Sequence, residues 1–342
     1  MTRAAIIGAG SLGTIIGALM TKGGRPVELV DTNWSHVERL NALGARITGE
    51  MDLVVHVHAL TPDRMEGRYD MVFLLSKQTA NAQILAHLLP HLHEGSLVCT
   101  LQNGIPEPSV AAVVGGERTM GGAVGFGATW EGAGRSRLTT RAEVVRDFAF
   151  EIGAFAAPHP LMAEARAMLG CVGRTQVLDD LMGVRWSKLL MNATFSGMSA
   201  ALGCTFGEVL DDPLARAAVI RIAAEVVRAA HAEGRRMALM QGEDFEAFGS
   251  AAPEVVEAML DRIWMPHRAL RASMLQDLEK GRPTEIAFIN GLVCDTGRSH
   301  GFATPMNDLV TSLVRQAQDA GAVPTRANIS HFARLLDAPH LS

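Results

Sequence analysis

Apolar residues fall in two textures along the chain. Through about residue 127 they gather into short runs such as "AAII", "MVFLL" and "SLVCTL", each bounded by glycine or polar residues. A short continuous run of this kind marks a strand buried on both faces, and parallel neighbours of such strands need a helix between them. The first stretch supplies the whole unit: a strand over 4–7, a glycine turn, a helix over about 12–22 and a second strand over 27–30. A polar segment of helical character, "SHVERLNALG", and the alternating run "MDLVVHVHAL" follow. Next come "YDMVFLLSK" and "GSLVCTLQNG", two more buried-strand candidates separated by the helical pattern "ANAQILAHLLPHLHEG". This alternation predicts an open, mostly parallel sheet to about Gly127, with a less regular, glycine-rich continuation towards residue 175.

Beyond about Gln176 the apolar positions recur at helical spacing over long stretches, as in "PLARAAVIRIAAEVVRAAHAEG", "APEVVEAMLDRIWM" and "PMNDLVTSLVRQAQDAG". Asp212 before Pro213 reads as a helix start, and Gly234 falls where that helix would stop. The expected architecture is therefore α/β: a Rossmann-like, mostly parallel sheet domain over 1–176, then an all-α domain over 177–342 serving substrate binding or dimerisation. A length of 342 residues suits two domains, since single cores stop growing near about 250–300 residues.

Composition narrows the class. Charged residues are 20% and hydrophobic residues 48%, as in an ordered globular chain, and the net charge of −5 argues against a nucleic-acid partner. Arg3 and the apolar run from Ala4 to Met20 resemble a signal peptide only superficially, because glycines interrupt them, and no run reaches membrane-spanning length. Cys99, Cys171, Cys204 and Cys294 lie far apart without metal-ligand spacing, so reduced thiols in a cytoplasmic protein are expected. The twelve histidines form no HExxH-type pair, and no metal site is expected.

Candidate chemistry starts in the first turn. Gly8, Gly10 and Gly13 form GxGxxG, with Ser11 and Leu12 inside it, directly between the expected strand and helix. Such glycines permit a tight turn, close approach of backbone to a pyrophosphate and close packing of the helix. Asp31 ends the second strand, where a carboxylate can accept hydrogen bonds from both ribose hydroxyls and repel a 2′-phosphate. NAD(H) is favoured on that basis, with Arg25, Thr32, Asn33 and His36 as groups able to hold a phosphate instead. In "VRWSKLLMNATFS", Lys188, Asn192 and Ser196 recur every four residues and would share one helix face, either a solvated edge or the wall of a polar site.

Read together and in order, "IIGAGSLG", "LLSKQTANAQ", "LQNG", "RWSKLLMNATFS", "SMLQD" and "TEIAFINGLV" resemble the ketopantoate reductase (2-dehydropantoate 2-reductase) family over most of the chain. The resemblance implies an N-terminal Rossmann domain for NADPH and a helical domain for a 2-oxo acid, with the reaction in the cleft between them, as a step of pantothenate biosynthesis. Lys188 matches the lysine that protonates the substrate oxygen as hydride arrives. Lys77, Asn103, Asn192, Ser273 and Glu285 match the family's other cleft residues, Lys77 and Asn103 at expected strand ends, with Glu285 placed to orient the lysine or accept a substrate hydroxyl. Ser196 stands where the family commonly has a second asparagine, and Thr32 where it commonly has an arginine for the 2′-phosphate. NADP(H) is thus the family default, and NAD(H) is what Asp31 favours. Two other expectations stand beside ketopantoate reduction: an NAD-dependent dehydrogenase of another branched or aromatic 2-hydroxy acid, and a non-catalytic dinucleotide sensor. The expected partner is a small 2-oxo acid, with neither membrane nor nucleic acid; the apolar faces of the helical half leave a homodimer open.

Overall fold

The computed structural model describes residues 2–337, which separate into two compact units at the Leu181/Met182 bond. Strands in the first unit are β1 (Ala4–Ile7), β2 (Glu28–Val30), β3 (Ala45–Gly49), β4 (Leu53–Val55), β5 (His58–Leu60), β6 (Tyr69–Leu74), β7 (Leu92–Thr100), β8 (Thr119–Val124), β9 (Ala128–Gly132), β10 (Arg135–Leu138), β11 (Phe150–Ala154) and β12 (Thr175–Val177). Eight of them form one sheet in the order β12-β11-β8-β7-β6-β1-β2-β5. Every pairing in it is parallel except β8 with β11. β12 still pairs with β11, which keeps residues 175–177 on the sheet and moves the division of the chain beyond residue 176.

β1 explains its own sequence. Ile6 lies opposite Leu29 on one side and Phe73 on the other, so the strand is central and needs apolar residues on both faces. Successive side chains point to opposite faces. Ala4 and Ile6 join Ile15, Ile16, Met20, Met71 and Phe73 in one core layer, while Ala5 and Ile7 join Val72, Leu74, Leu85 and Val98 in the other. From β1 the chain builds outward through β2 on one side and β6 on the other. The crevice at the carboxyl ends of β1 and β6 is therefore a topological switch point, where open α/β sheets take their ligands.

A second sheet was not expected. "MDLVVHVHAL" supplies two strands in different sheets, β5 in the large one and β4 in a four-stranded sheet ordered β4-β3-β10-β9. Its β9–β10 hairpin lies in the stretch expected only as a less regular, glycine-rich continuation, turning through Gly132 and Gly134 at positive φ. Pairing with β3 buries Ser136 and Leu138 and leaves Arg135 and Arg137 exposed.

Among its described residues the second unit is helical apart from an isolated bridge between Met240 and Glu243. The helix Pro213–Ala232 begins as its sequence indicates: the Asp212 carboxylate accepts from the amides of Leu214 and Ala215, and Gly234 follows its end at φ +67°. Ala215, Ala218, Val219, Ile222 and Val226 form its buried stripe. Residues 240–250 are pinned by buried Phe245 packed on Phe248, which in turn meets Trp264, and by Arg262 paired with Glu243.

Candidate active site

The glycine turn after β1 has the geometry its spacing implies. Gly8 lies at φ +97°, and a β-carbon there would stand 2.5 Å from the Ser76 amide nitrogen, so only glycine lets this turn pass the loop after β6. A β-carbon on Gly13 would stand 2.2 Å from the Gly8 carbonyl oxygen, which makes it the contact that seats helix Ser11–Lys22 against the turn. Gly10 differs, because its β-carbon would meet nothing within 4 Å. Open space thus faces the middle glycine, at a helix N-terminus that no side chain caps. Unfilled backbone donors at the positive end of a helix fit a pyrophosphate.

Hydrogen bonds fix that turn from behind. The Gly8 and Ala9 amides both donate to the Val30 carbonyl, at 2.9 and 3.2 Å, so the turn is tied to the residue just before Asp31. The Ala9 carbonyl accepts from the Thr14 hydroxyl and from His36 Nε2, each at 2.7 Å, and His36 Nδ1 accepts from the Gly134 amide at 2.8 Å. These partners define the neutral Nε2–H tautomer. Burial pushes the His36 pKa down, outweighing the Ala9 bond and the charge of Asp31, which act in the other direction. His36 is therefore a brace of the turn rather than a group for a phosphate. Arg25, another candidate for that task, pairs with Glu164, and Asn33 caps helix Trp34–Leu43 through the His36 amide.

Asp31 is half-buried at the carboxyl end of β2, and one of its oxygens accepts from the Asn33 amide at 2.9 Å. Lys77 and Asn103 lie in the loops that follow β6 and β7 rather than on the strand ends, Lys77 half-buried and Asn103 exposed. Gln102 joins those loops: its amide nitrogen donates to the Ser76 carbonyl at 2.8 Å and to Asn81 Oδ1 at 2.6 Å, while its oxygen accepts from Thr100 at 3.0 Å and Asn81 at 3.1 Å. Gln78 donates to the Asn103 carbonyl. Gln78, Asn81 and Gln102 are buried polar residues inside the motifs quoted above, and spacing alone gave no sign of their role.

In the second unit, helix Leu181–Met191 runs directly into a π-helical turn, Asn192–Ser196, and then into helix Gly197–Leu202. The regular helix expected through this stretch is thus interrupted at Asn192. Lys188, Asn192 and Ser196 are half-buried, whereas Leu189, Leu190, Ala193, Thr194 and Phe195 are buried, so the polar stripe lies on the less covered face. Asn192 Nδ2 is buried with no hydrogen-bond partner among the described residues. Leaving a donor of this kind unfilled costs about 1–3 kcal/mol.

Ser273 opens helix Ser273–Glu279 and is exposed. The preceding amide, that of Ala272, donates to Ser199 at 3.2 Å, which holds this helix against the one that continues from the wide turn. Glu285 is buried, 8% exposed, and precedes the 3-10 turn Ile286–Phe288 rather than lying in the first turn of an α-helix. Asn290, five residues further on, donates to the Ala193 carbonyl at 2.9 Å and so ties the Glu285 segment to the wide turn. Among the described residues no cluster of side chains suited to a metal ion occurs, and no helix is long and apolar enough to cross a membrane.

The sheet order, the glycine turn and its open middle position define a dinucleotide-binding protein of the Rossmann class with a helical second unit. The chain matches the family "Ketopantoate reductase PanE/ApbA" over residues 4–147 and "Ketopantoate reductase PanE/ApbA C terminal" over 180–318, and it belongs to the ketopantoate reductase family. It is accordingly an NAD(P)-dependent oxidoreductase interconverting 2-oxo and 2-hydroxy acids. It is similar to the 2-dehydropantoate 2-reductase of Archaeoglobus fulgidus, 28% identical over 92% of this chain and 97% of that one. Among solved structures it resembles the 2-dehydropantoate 2-reductase of Geobacter metallireducens, 28% identical with a TM-score of 0.77, covering 92% of this chain and 99% of that one. It also shares its fold with D-mandelate dehydrogenase in a ternary structure with NADH and anilino(oxo)acetate, with a TM-score of 0.80 at 23% identity over 93% of this chain and 99% of that one.

Proposed function

We propose that this protein reduces ketopantoate to pantoate, with NADH preferred over NADPH. The observation that carries the substrate half is Asn192. A buried amide donor without an acceptor, one turn from Lys188, suits the carboxylate or hydroxyl of a small acid better than it suits a solvated helix edge. The relatives named for this reaction, similar over almost their whole length, support the choice among 2-oxo acids.

In this reading the turn 8–13 takes the pyrophosphate, Asp31 the adenosine ribose, and the loops of Lys77 and Asn103 the remainder of the cofactor. The nicotinamide, when bound, supplies the hydride that adds to C2 of the acid. Lys188 donates a proton from Nζ to the oxygen that gains charge at C2, so the ketone becomes a hydroxyl, and in the oxidative direction it takes that proton back. Asn192 and Ser273 give neutral hydrogen bonds to the acid, and Glu285 orients the lysine or accepts the substrate hydroxyl.

Ser196 and Asp31 favour a second reading, an NAD-dependent dehydrogenase of a different branched or aromatic 2-hydroxy acid. A serine hydroxyl is shorter than an asparagine amide, which leaves room and changes the hydrogen-bond partner. Initial rates with ketopantoate, phenylpyruvate and benzoylformate, each run with NADH and with NADPH, separate the two. Highest kcat/KM for ketopantoate with NADH supports the first; an aromatic acid exceeding ketopantoate establishes the second.

A further inference from the structure

A π-helical turn inside an α-helix needs outside help. Its i→i+5 bonding strips carbonyl oxygens of the partners a regular helix would give them, and buried carbonyls require replacement donors. Here the donors are present. The Thr194 hydroxyl donates to the carbonyls of Leu190 and Met191, at 2.7 and 3.1 Å, and the Asn290 amide donates to Ala193 at 2.9 Å. Thr194 and Asn290 are both fully buried.

The Asn290 amide has one workable orientation. Its nitrogen faces two acceptors, the Ala193 carbonyl and Asn307 Oδ1, the latter also at 2.9 Å. Asn307 is fixed in turn, because its own nitrogen donates to Glu225 Oε2 at 2.7 Å. Glu225 also accepts from the amides of Met306 and Asn307, at 3.0 and 2.9 Å, at the start of helix Pro305–Asp319, where a carboxylate is favoured. On the other side a β-carbon at Gly197 would lie 2.8 Å from Asn290 Oδ1, so the residue after the wide turn is one that leaves Asn290 in place.

The turn changes what the stripe presents. Over eight residues a regular α-helix rotates about 80° beyond two full turns, which would carry Ser196 away from the line through Lys188. A wider turn rotates less per residue and brings Ser196 back towards that line. Asn192 stands at the first position of that turn, and its amide donor has no hydrogen-bond partner among the described residues.

We propose that Asn290 is a positioning residue: through the Ala193 carbonyl it maintains the wide turn that holds Asn192 and Ser196 in register with Lys188. This rests on the reading of Lys188 and Asn192 given above. Asn290→Ala and the near-isosteric Asn290→Asp both remove the donor. The expected result is faster amide hydrogen exchange over residues 192–198, a loss of about tenfold or more in kcat for 2-oxo-acid reduction, and an unchanged Kd for NADH. Gly197→Ala, which pushes on Asn290 from the opposite side, should give the same signature if either Asn290 variant fails to fold. In an Asn192→Ala background the effect of Asn290→Ala on kcat should shrink to less than about twofold, because the group it positions is gone. Unchanged exchange over 192–198, or a full kcat loss in the Asn192→Ala background, overturns the proposal. Wild-type protein inactive on every 2-oxo acid would count against the proposed reaction, whereas an active wild type with an unaffected Asn290→Ala counts against Asn290 alone.

Discussion

Asp31 and His36 occupy neighbouring places with opposite tasks. The Asp31 carboxylate stands at the end of β2 beside the turn, with Thr32 exposed after it, and the proposed reading gives it the adenosine ribose. Asp31→Ala should lower kcat/KM for NADH by about tenfold or more, the scale of a hydrogen bond to a charged group, while NADPH is used equally well or better. A ratio of the two cofactors that does not move would remove Asp31 from the account. His36 faces inward and is held neutral by burial. Its folded pKa lies below the unfolded value of about 6.5, so its stabilising contribution is complete above that pH and is lost as pH falls towards the folded pKa. Glu225, pushed up to about 6 by burial, acts with the opposite sign, its contribution present below about 4.5 and lost as pH rises through 6. The share due to His36 is therefore the difference between wild type and His36→Gln. Urea midpoints measured from pH 7.5 to 5 should decline more steeply in the wild type; parallel curves would show that the ring does not titrate against the fold. The place of the carboxylate at the end of β2 was legible in the sequence, because the glycine turn fixes where the second strand ends. The imidazole was not, since a histidine on a polar helix looks the same whether it meets solvent or a carbonyl 27 residues away.

At the scale of elements, the glycine turn separates three functions that look identical as letters. Gly13→Ala should cost about 1–3 kcal/mol, as overpacking against backbone does, and Gly8→Ala should add backbone strain at positive φ. Gly10→Ala meets open space, so its thermal midpoint should stay near that of the wild type while NADH binding weakens about tenfold, readable by nicotinamide fluorescence titration. Equal destabilisation in Gly10→Ala and Gly13→Ala would mean the middle position is structural. Strands β1, β2, β6 and β7 of the large sheet were legible because both-face burial writes continuous apolar runs, whereas β11 and β12 lie in the stretch read only as a glycine-rich continuation. The β9–β10 hairpin was not, because half of its side chains face solvent and its partner β3 lies far back in the chain. The wide turn at Asn192 was equally hidden: the donor that sustains it comes from Asn290, 97 residues away, and no local spacing announces it.

For the whole molecule, each unit brings its own part of the chemistry. The first has a switch point, an open glycine turn and an acid at the end of β2. The second has a lysine and an unsatisfied amide on one face, backed by buried donors. The order of these parts could be read along the chain, and the family match agrees with it over both units. What the letters could not give was the scaffold behind the site, the amides of Gln102, Asn81, Asn290 and Asn307, because their partners exist only once the chain is folded. The central claim is that Lys188 supplies the proton while the first unit binds the cofactor without it. Lys188→Ala, assayed for ketopantoate reduction and for NADH binding on the same preparation, tests it most directly. The account predicts a fall in kcat of roughly 10²–10⁴-fold with NADH affinity changed less than about threefold, the range for loss of a positioned acid. Turnover within about threefold of the wild type would contradict it.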